Sequence, residues 1–149
     1  MSNVIIRQLE VEDIDKAIPL FEEFCKESLS DYGIPVDVEH LTKLANIYKD
    51  NTLIIESGDK LVGIISGAVV DMPAGGKKVY QELVWYVLAS HRRYGIKLLN
   101  TLEEKCKKEG IDSIIMSLMQ NSKSNKLENF YNKRGFRLVE KQYIKQVGG

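Results

Sequence analysis

The chain has 149 residues, 44% apolar and 28% charged, and its 21 basic residues balance its 21 acidic ones. This length and composition suit one folded domain, residues 1–149, with its own core, and a formal charge of zero argues against holding nucleic acid by bulk electrostatics. The two cysteines and two histidines lack metal-ligand spacing, so no metal is expected; Cys25 and Cys106 fall on apolar helical stripes and read as reduced core residues of a cytoplasmic protein. The first residues lack a signal-like apolar run and no segment is long enough to span a bilayer, so no membrane association is expected.

In chain order, Val4 to Leu9 alternates as a strand. Glu10 to Asp13 supplies acidic residues to a helix start, after which Ile14, Ala17, Ile18, Phe21, Phe24 and Cys25 recur at helical spacing. Pro19 lies inside this run and predicts a kink or local break. A loop at Tyr32-Gly33-Ile34-Pro35 leads to a second helix with Val38, Leu41, Leu44, Ala45, Ile47 and Tyr48 on one side. Thr52 to Glu56 and Leu61 to Val70 are strands turned at Gly58-Asp59. After a loop at 72–76 comes a long strand, Val79 to Leu88. A helix over Arg92 to Glu109 buries Ile96, Leu99, Leu102 and Cys106, with Gly110 as its stop. Ile114 to Met119 is a strand, Asn125 to Lys133 a short helix ended by Gly135, and Phe136 to Val147 a last strand. The order β-α-α-β-β-β-α-β-α-β predicts an α/β domain with a mixed sheet: hairpins through the middle and a parallel crossover around the helix at 92–109.

Two segments carry chemistry. In Val84-Trp85-Tyr86-Val87-Leu88-Ala89-Ser90-His91-Arg92-Arg93-Tyr94-Gly95-Ile96-Lys97 an apolar strand runs into a basic, glycine-containing turn that opens a helix. The unpaired amides and positive dipole end of a helix seat a phosphate. Two arginines at that end are unfavourable for the dipole by themselves, which favours an anion ligand for Arg92 or Arg93 over an ordinary solvated helix start. The second segment is Phe130-Tyr131-Asn132-Lys133-Arg134-Gly135-Phe136.

The element order and these two segments resemble the GCN5-related N-acetyltransferase superfamily, over nearly the whole chain. The resemblance implies an acyltransferase that binds acetyl-CoA as co-substrate where two parallel strands, 79–88 and 114–119, splay apart. The pantetheine arm would pair with backbone near Val87 and Leu88, and the pyrophosphate would lie on the turn formed by Arg92, Arg93, Tyr94, Gly95, Ile96 and Lys97. The family turn reads Arg or Gln, two residues, Gly, one residue, Gly or Ala. Here it departs from that form: one register puts Ser90, Arg93 and Gly95 at those places, the other Arg92, Gly95 and Lys97. Asn125, early in the short helix, corresponds to an asparagine that contacts the cofactor in relatives. Tyr131 corresponds to a tyrosine that reaches the coenzyme sulfur and protonates the departing thiolate; its alternative is a core tyrosine bonded to backbone.

Glu82 is the candidate general base. Strand alternation puts it on one face with Tyr80, Val84, Tyr86 and Leu88, and a carboxylate among apolar residues invites a raised pKa. Its alternative is a solvated or ion-paired strand residue. Tyr32 is placed at the acceptor mouth because the first two helices shape that site in relatives. The acceptor implied is a primary amine on a small molecule or peptide, and a homodimer is compatible with the resemblance. A module of the same fold that binds acyl-CoA without catalysis is the alternative, favoured by the altered turn; retention of Glu82 and Tyr131 favours the enzyme.

Overall fold

The computed structural model describes residues 3–29, 35–72, 74–118 and 124–148. Two compact units divide the chain, Met1–Ser117 and Leu118–Gly149. The first holds β1 (Val4–Gln8), α1 (Ile14–Ser28), α2 (Val38–Tyr48), β2 (Thr52–Ser57), β3 (Lys60–Asp71), β4 (Lys78–Val87), α3 (Gly95–Lys108) and β5 (Ser113–Ile115). The second holds α4 (Ser124–Lys133). Tyr32 lies outside the described residues.

The sheet runs β1-β2-β3-β4-β5 in sequence order. The first four strands pair antiparallel and β5 runs parallel to β4, with α3 as the crossover between them, as expected. Gly58, at φ +61, makes the tight β2–β3 turn. On one face, Ile14, Ala17 and Leu20 of α1 pack with Ile54, Ile64, Val84 and Tyr86. The alternate residues Trp85 and Val87 approach Gly95 of α3, so α3 covers the opposite face. Leu98, Leu99 and Leu102 are fully buried there, each worth about 1.5–3 kcal/mol of transfer free energy. At the rim, Arg7 forks onto Asp13 at 2.7 and 2.8 Å and reaches Glu56 at 2.9 Å, tying β1 to the start of α1 and to β2.

Five expectations change. The helix at 14–28 is one uninterrupted element despite Pro19. Pro19 deprives only the Asp15 carbonyl of its in-helix partner, and both residues lie on the exposed face, where that carbonyl is open to solvent. In α2, Leu41, Leu44, Ala45 and Tyr48 turn inward, while Val38 and Ile47 are exposed. In α3, Leu98 takes the buried place assigned to Ile96, which is half-exposed: at about 100° per residue Ile96 lies at the edge of the stripe shared by Leu98, Leu99, Leu102 and Cys106. β5 is three residues long; Met119 lies outside the described residues. Residues 136–147 form no strand, and Leu138, Val139, Tyr143, Ile144 and Val147 are exposed. A strand exists only against a partner, and the second unit contains no other strand among its described residues.

Candidate active site

β4 and β5 pair only at Val79↔Ser113, Tyr80↔Ile114 and Gln81↔Ile115. β4 continues to Val87, and no described strand pairs with it on that side beyond Gln81. The parallel pairing therefore opens into a fork, and Glu82 is the first residue past its vertex. Only 6% of Glu82 is exposed. Burial pushes its carboxyl up to about 7, against the opposing pull of a hydrogen bond donated by the backbone N–H of Ser117.

The face of Glu82 differs from the expectation. Ser66 pairs with Val84 and Gly67 with Glu82, so one step along β3 spans two along β4, with Leu83 as the extra residue. Opposed residues share a face and consecutive residues on β3 do not, so this bulge puts Glu82 on the face opposite Val84 and Tyr86. Glu82 keeps only Tyr80 of its expected companions and turns toward the α3 side. Gly67 opposite Glu82 is a requirement of packing: a Cβ there would run into the Tyr80 ring and the Gln81 carbonyl. Tyr80 is locked by its hydroxyl, which donates to the Asn51 carbonyl at 2.6 Å. Glu82 thus stands on a rigid floor with its carboxyl largely dry.

The far end of β4 has its own polarity. The Leu88 N–H donates to Val62 at 2.8 Å, and its carbonyl accepts from His91 at 2.8 Å. Leu88 thus uses its N–H and one lone pair of its carbonyl within the protein. Backbone groups alternate between the two sides of a strand, so Trp85 and Val87 turn theirs toward the forked side. The Val87 carbonyl accepts from Arg92 Nε at 2.9 Å.

The turn Ala89–Tyr94 breaks helical geometry at His91 (φ −128), and α3 begins at Gly95, whose N–H goes to the Arg92 carbonyl. The first turn of an α-helix leaves its amides without i−4 partners; in α3 these are also the amides of Ile96 and Lys97, both exposed residues. Gly95 is not a packing requirement. A Cβ there would lie 3.7 Å from Val87 Cγ2 and 3.9 Å from Trp85, ordinary contacts. The two arginines differ. Arg93 lies over the Tyr94 ring at 4.8 Å and reaches the Ser90 carbonyl at 3.4 Å. Arg92 donates to Glu27 Oε2 at 2.8 Å as well as to Val87. Glu27 belongs to no motif, and a contact spanning 65 positions leaves no signal in a single sequence.

In the second unit, Gly135 (φ +87) ends α4 in the left-handed conformation. The Phe136 N–H returns to the Tyr131 carbonyl at 3.0 Å and that of Gly135 to Asn132 at 3.3 Å, the paired bonds of a Schellman stop. The rings of Tyr131 and Phe136 meet at 5.4 Å. The Tyr-x-x-x-Gly-Phe spacing is therefore the spacing of that stop, and it fixes Tyr131, which is buried. Asn125 is the second residue of α4 and is exposed.

This mixed sheet, open along β4 beyond Gln81 and with a helix beginning at that strand's end, has the form that the sequence resemblance implies. The model of the acetyltransferase (GNAT) family matches residues 18–136, and the chain belongs to that family. No curated protein matches it. Among solved structures it is similar to a ribosomal-protein-alanine N-acetyltransferase from Brucella melitensis biovar Abortus 2308, with 19% identity and a TM-score of 0.76 over 98% of this chain and 100% of that one. It is also similar to an aminoglycoside acetyltransferase from an uncultured soil metagenomic sample (17%, TM-score 0.75, 98% and 99% covered). A third is a predicted acetyltransferase with acetyl-CoA from Clostridium acetobutylicum (19%, TM-score 0.73, 97% and 96% covered). At these identities the likeness is one of fold.

Proposed function

We propose that the protein moves an acetyl group from acetyl-CoA directly to a primary amine of a small molecule or peptide, in the cytoplasm, with Glu82 as general base and Tyr131 as general acid. The observation that carries this reading is Glu82: a carboxylate held dry at the vertex of the fork, with a pKa of about 7. A base works best when its pKa lies near the working pH.

The residues present fit the coenzyme. The backbone of Trp85 and Val87 on the forked side of β4 offers donors and acceptors to the amides of an extended arm. The amides of Ile96 and Lys97, with Arg92 and Arg93 beside them, suit a diphosphate. Gly95, for which packing gives no reason, suits close approach of a ligand to backbone. The coenzyme supplies an activated acyl thioester. Glu82 accepts a proton from the ammonium form of the acceptor, so that a neutral amine attacks; the bulge and Tyr80 keep its carboxyl in one place. Tyr131, by its match to the family tyrosine, gives its phenolic proton to the departing thiolate. Asn125 is assigned to the coenzyme and Tyr32 to the acceptor on the same resemblance.

The acceptors of the structural neighbours, a ribosomal-protein alanine and aminoglycosides, set the first compounds to try. Thiol release from acetyl-CoA, measured against an amine panel that includes both, tests the reading. Release that depends on an amine and falls in Glu82→Gln and in Tyr131→Phe supports it. Coenzyme binding without release for any amine contradicts it.

A further inference from the structure

Arg92 lies at the end of the forked strand, yet it is already engaged. Its Nη2 donates to Glu27 Oε2 at 2.8 Å and its Nε to the Val87 carbonyl at 2.9 Å. Glu27 is held in turn by the hydroxyl of Tyr86, over whose ring the Arg92 guanidinium lies at 5.7 Å. Phe24, one turn back on α1, packs edge-on against the same ring at 5.8 Å. The side chains of Arg92 and Glu27 are 43% and 42% exposed, so a ligand can reach the pair.

These two contacts occupy what the coenzyme needs. A diphosphate competes with Glu27 for the guanidinium, because both are anions seeking the same donors. An amide N–H of an extended arm competes with Arg92 Nε for the Val87 carbonyl. We propose that Glu27 latches Arg92 across the end of β4 and thereby sets the affinity of the site for the coenzyme and its preference for the phosphate-bearing molecule over its pantetheine fragment. This rests on the reading above that the coenzyme lies along β4. When the coenzyme binds, Arg92 exchanges the Glu27 carboxylate for a phosphate oxygen, and the Val87 carbonyl passes from the guanidinium to the arm. The exchange is accessible because an ion pair this exposed is weak. Glu27 is a positioning residue: it acts only through Arg92.

The test is titration calorimetry of coenzyme A and of pantetheine against the wild type, Glu27→Gln and Glu27→Ala, each also in an Arg92→Gln background, with melting curves to confirm folding. Removing the charge at Glu27 should tighten coenzyme A about three- to tenfold, tighten pantetheine less, and do neither once Arg92 is Gln. A residue that merely braces α1 against β4 would weaken binding on substitution, or shift both ligands alike. Unchanged or weaker coenzyme binding in both Glu27 variants overturns the latch, as does a gain that persists without Arg92. The outcomes separate the two readings: no binding by the wild type removes the proposed function and the latch with it, whereas wild-type binding without tightening removes the latch alone.

Discussion

The Ser117 backbone N–H donates to the Glu82 carboxylate, bridging the place where β4 and β5 part. One donor does not compensate a carboxylate for the loss of water, so burial dominates and the group titrates near 7 rather than near its ordinary 4.5. A carbon-13 titration of the glutamate carboxyls should show one resonance, absent from Glu82→Gln, with its midpoint near pH 7. A midpoint in the ordinary range would mean that water reaches the fork.

The same burial has a stability consequence with a definite sign. The folded state holds the Glu82 proton more tightly than the unfolded chain, so the protein loses stability as pH rises from about 4.5 to about 7. The full cost, roughly 3 kcal/mol for a shift of this size, is present above that window. Glu82→Gln keeps an acceptor for Ser117 and carries no charge. Urea denaturation at about pH 8 should find it more stable than the wild type, with the difference vanishing toward about pH 4. A variant less stable at both pH values would show that the ionised carboxylate is well solvated or paired.

Gly95 separates packing from binding. Alanine there meets only ordinary contacts at a helical φ of −61, so Gly95→Ala should leave stability unchanged or raise it by up to about 1 kcal/mol. If the diphosphate approaches the backbone at Gly95 as proposed, the added methyl group should lower affinity for coenzyme A by about tenfold or more. A thermal melt beside a binding titration reads both. Unaltered affinity would move the diphosphate away from this helix start.

Tyr131→Phe keeps the ring that packs on Phe136 and removes only the hydroxyl. Turnover should drop by about 100-fold with little change in the KM for acetyl-CoA, the mark of an interaction made in the transition state. A raised KM at unchanged turnover would assign Tyr131 to binding instead.

Much of this was legible in the sequence. The element order as far as α4, the parallel crossover and both stop glycines, Gly110 and Gly135, follow from hydrophobic period and backbone chemistry. The Phe-Tyr-x-x-x-Gly-Phe segment was legible twice over, as a family signature and as a helix stop. Other features arise only from pairing. Strict alternation along β4 assumes an unbroken ladder, and the extra residue Leu83 exists only relative to β3, so the face of Glu82 was misread. The depth of its burial depends on Ser117 and on the fork, neither of which leaves a mark on residues 78–87. The latch joins α1 to the turn before α3, and the exposed, strand-like residues 136–147 show that composition without a partner strand does not make a strand.

The most direct measurement is the initial rate of amine-dependent thiol release from acetyl-CoA across about pH 5 to about pH 9, for the wild type and Glu82→Gln. The wild-type kcat/KM should rise through about pH 7, where Glu82 gives up its proton, and the variant should lack that step and run at least about 100-fold slower. A variant that matches the wild type in rate and in profile would contradict the claim that the carboxylate at the fork takes the proton.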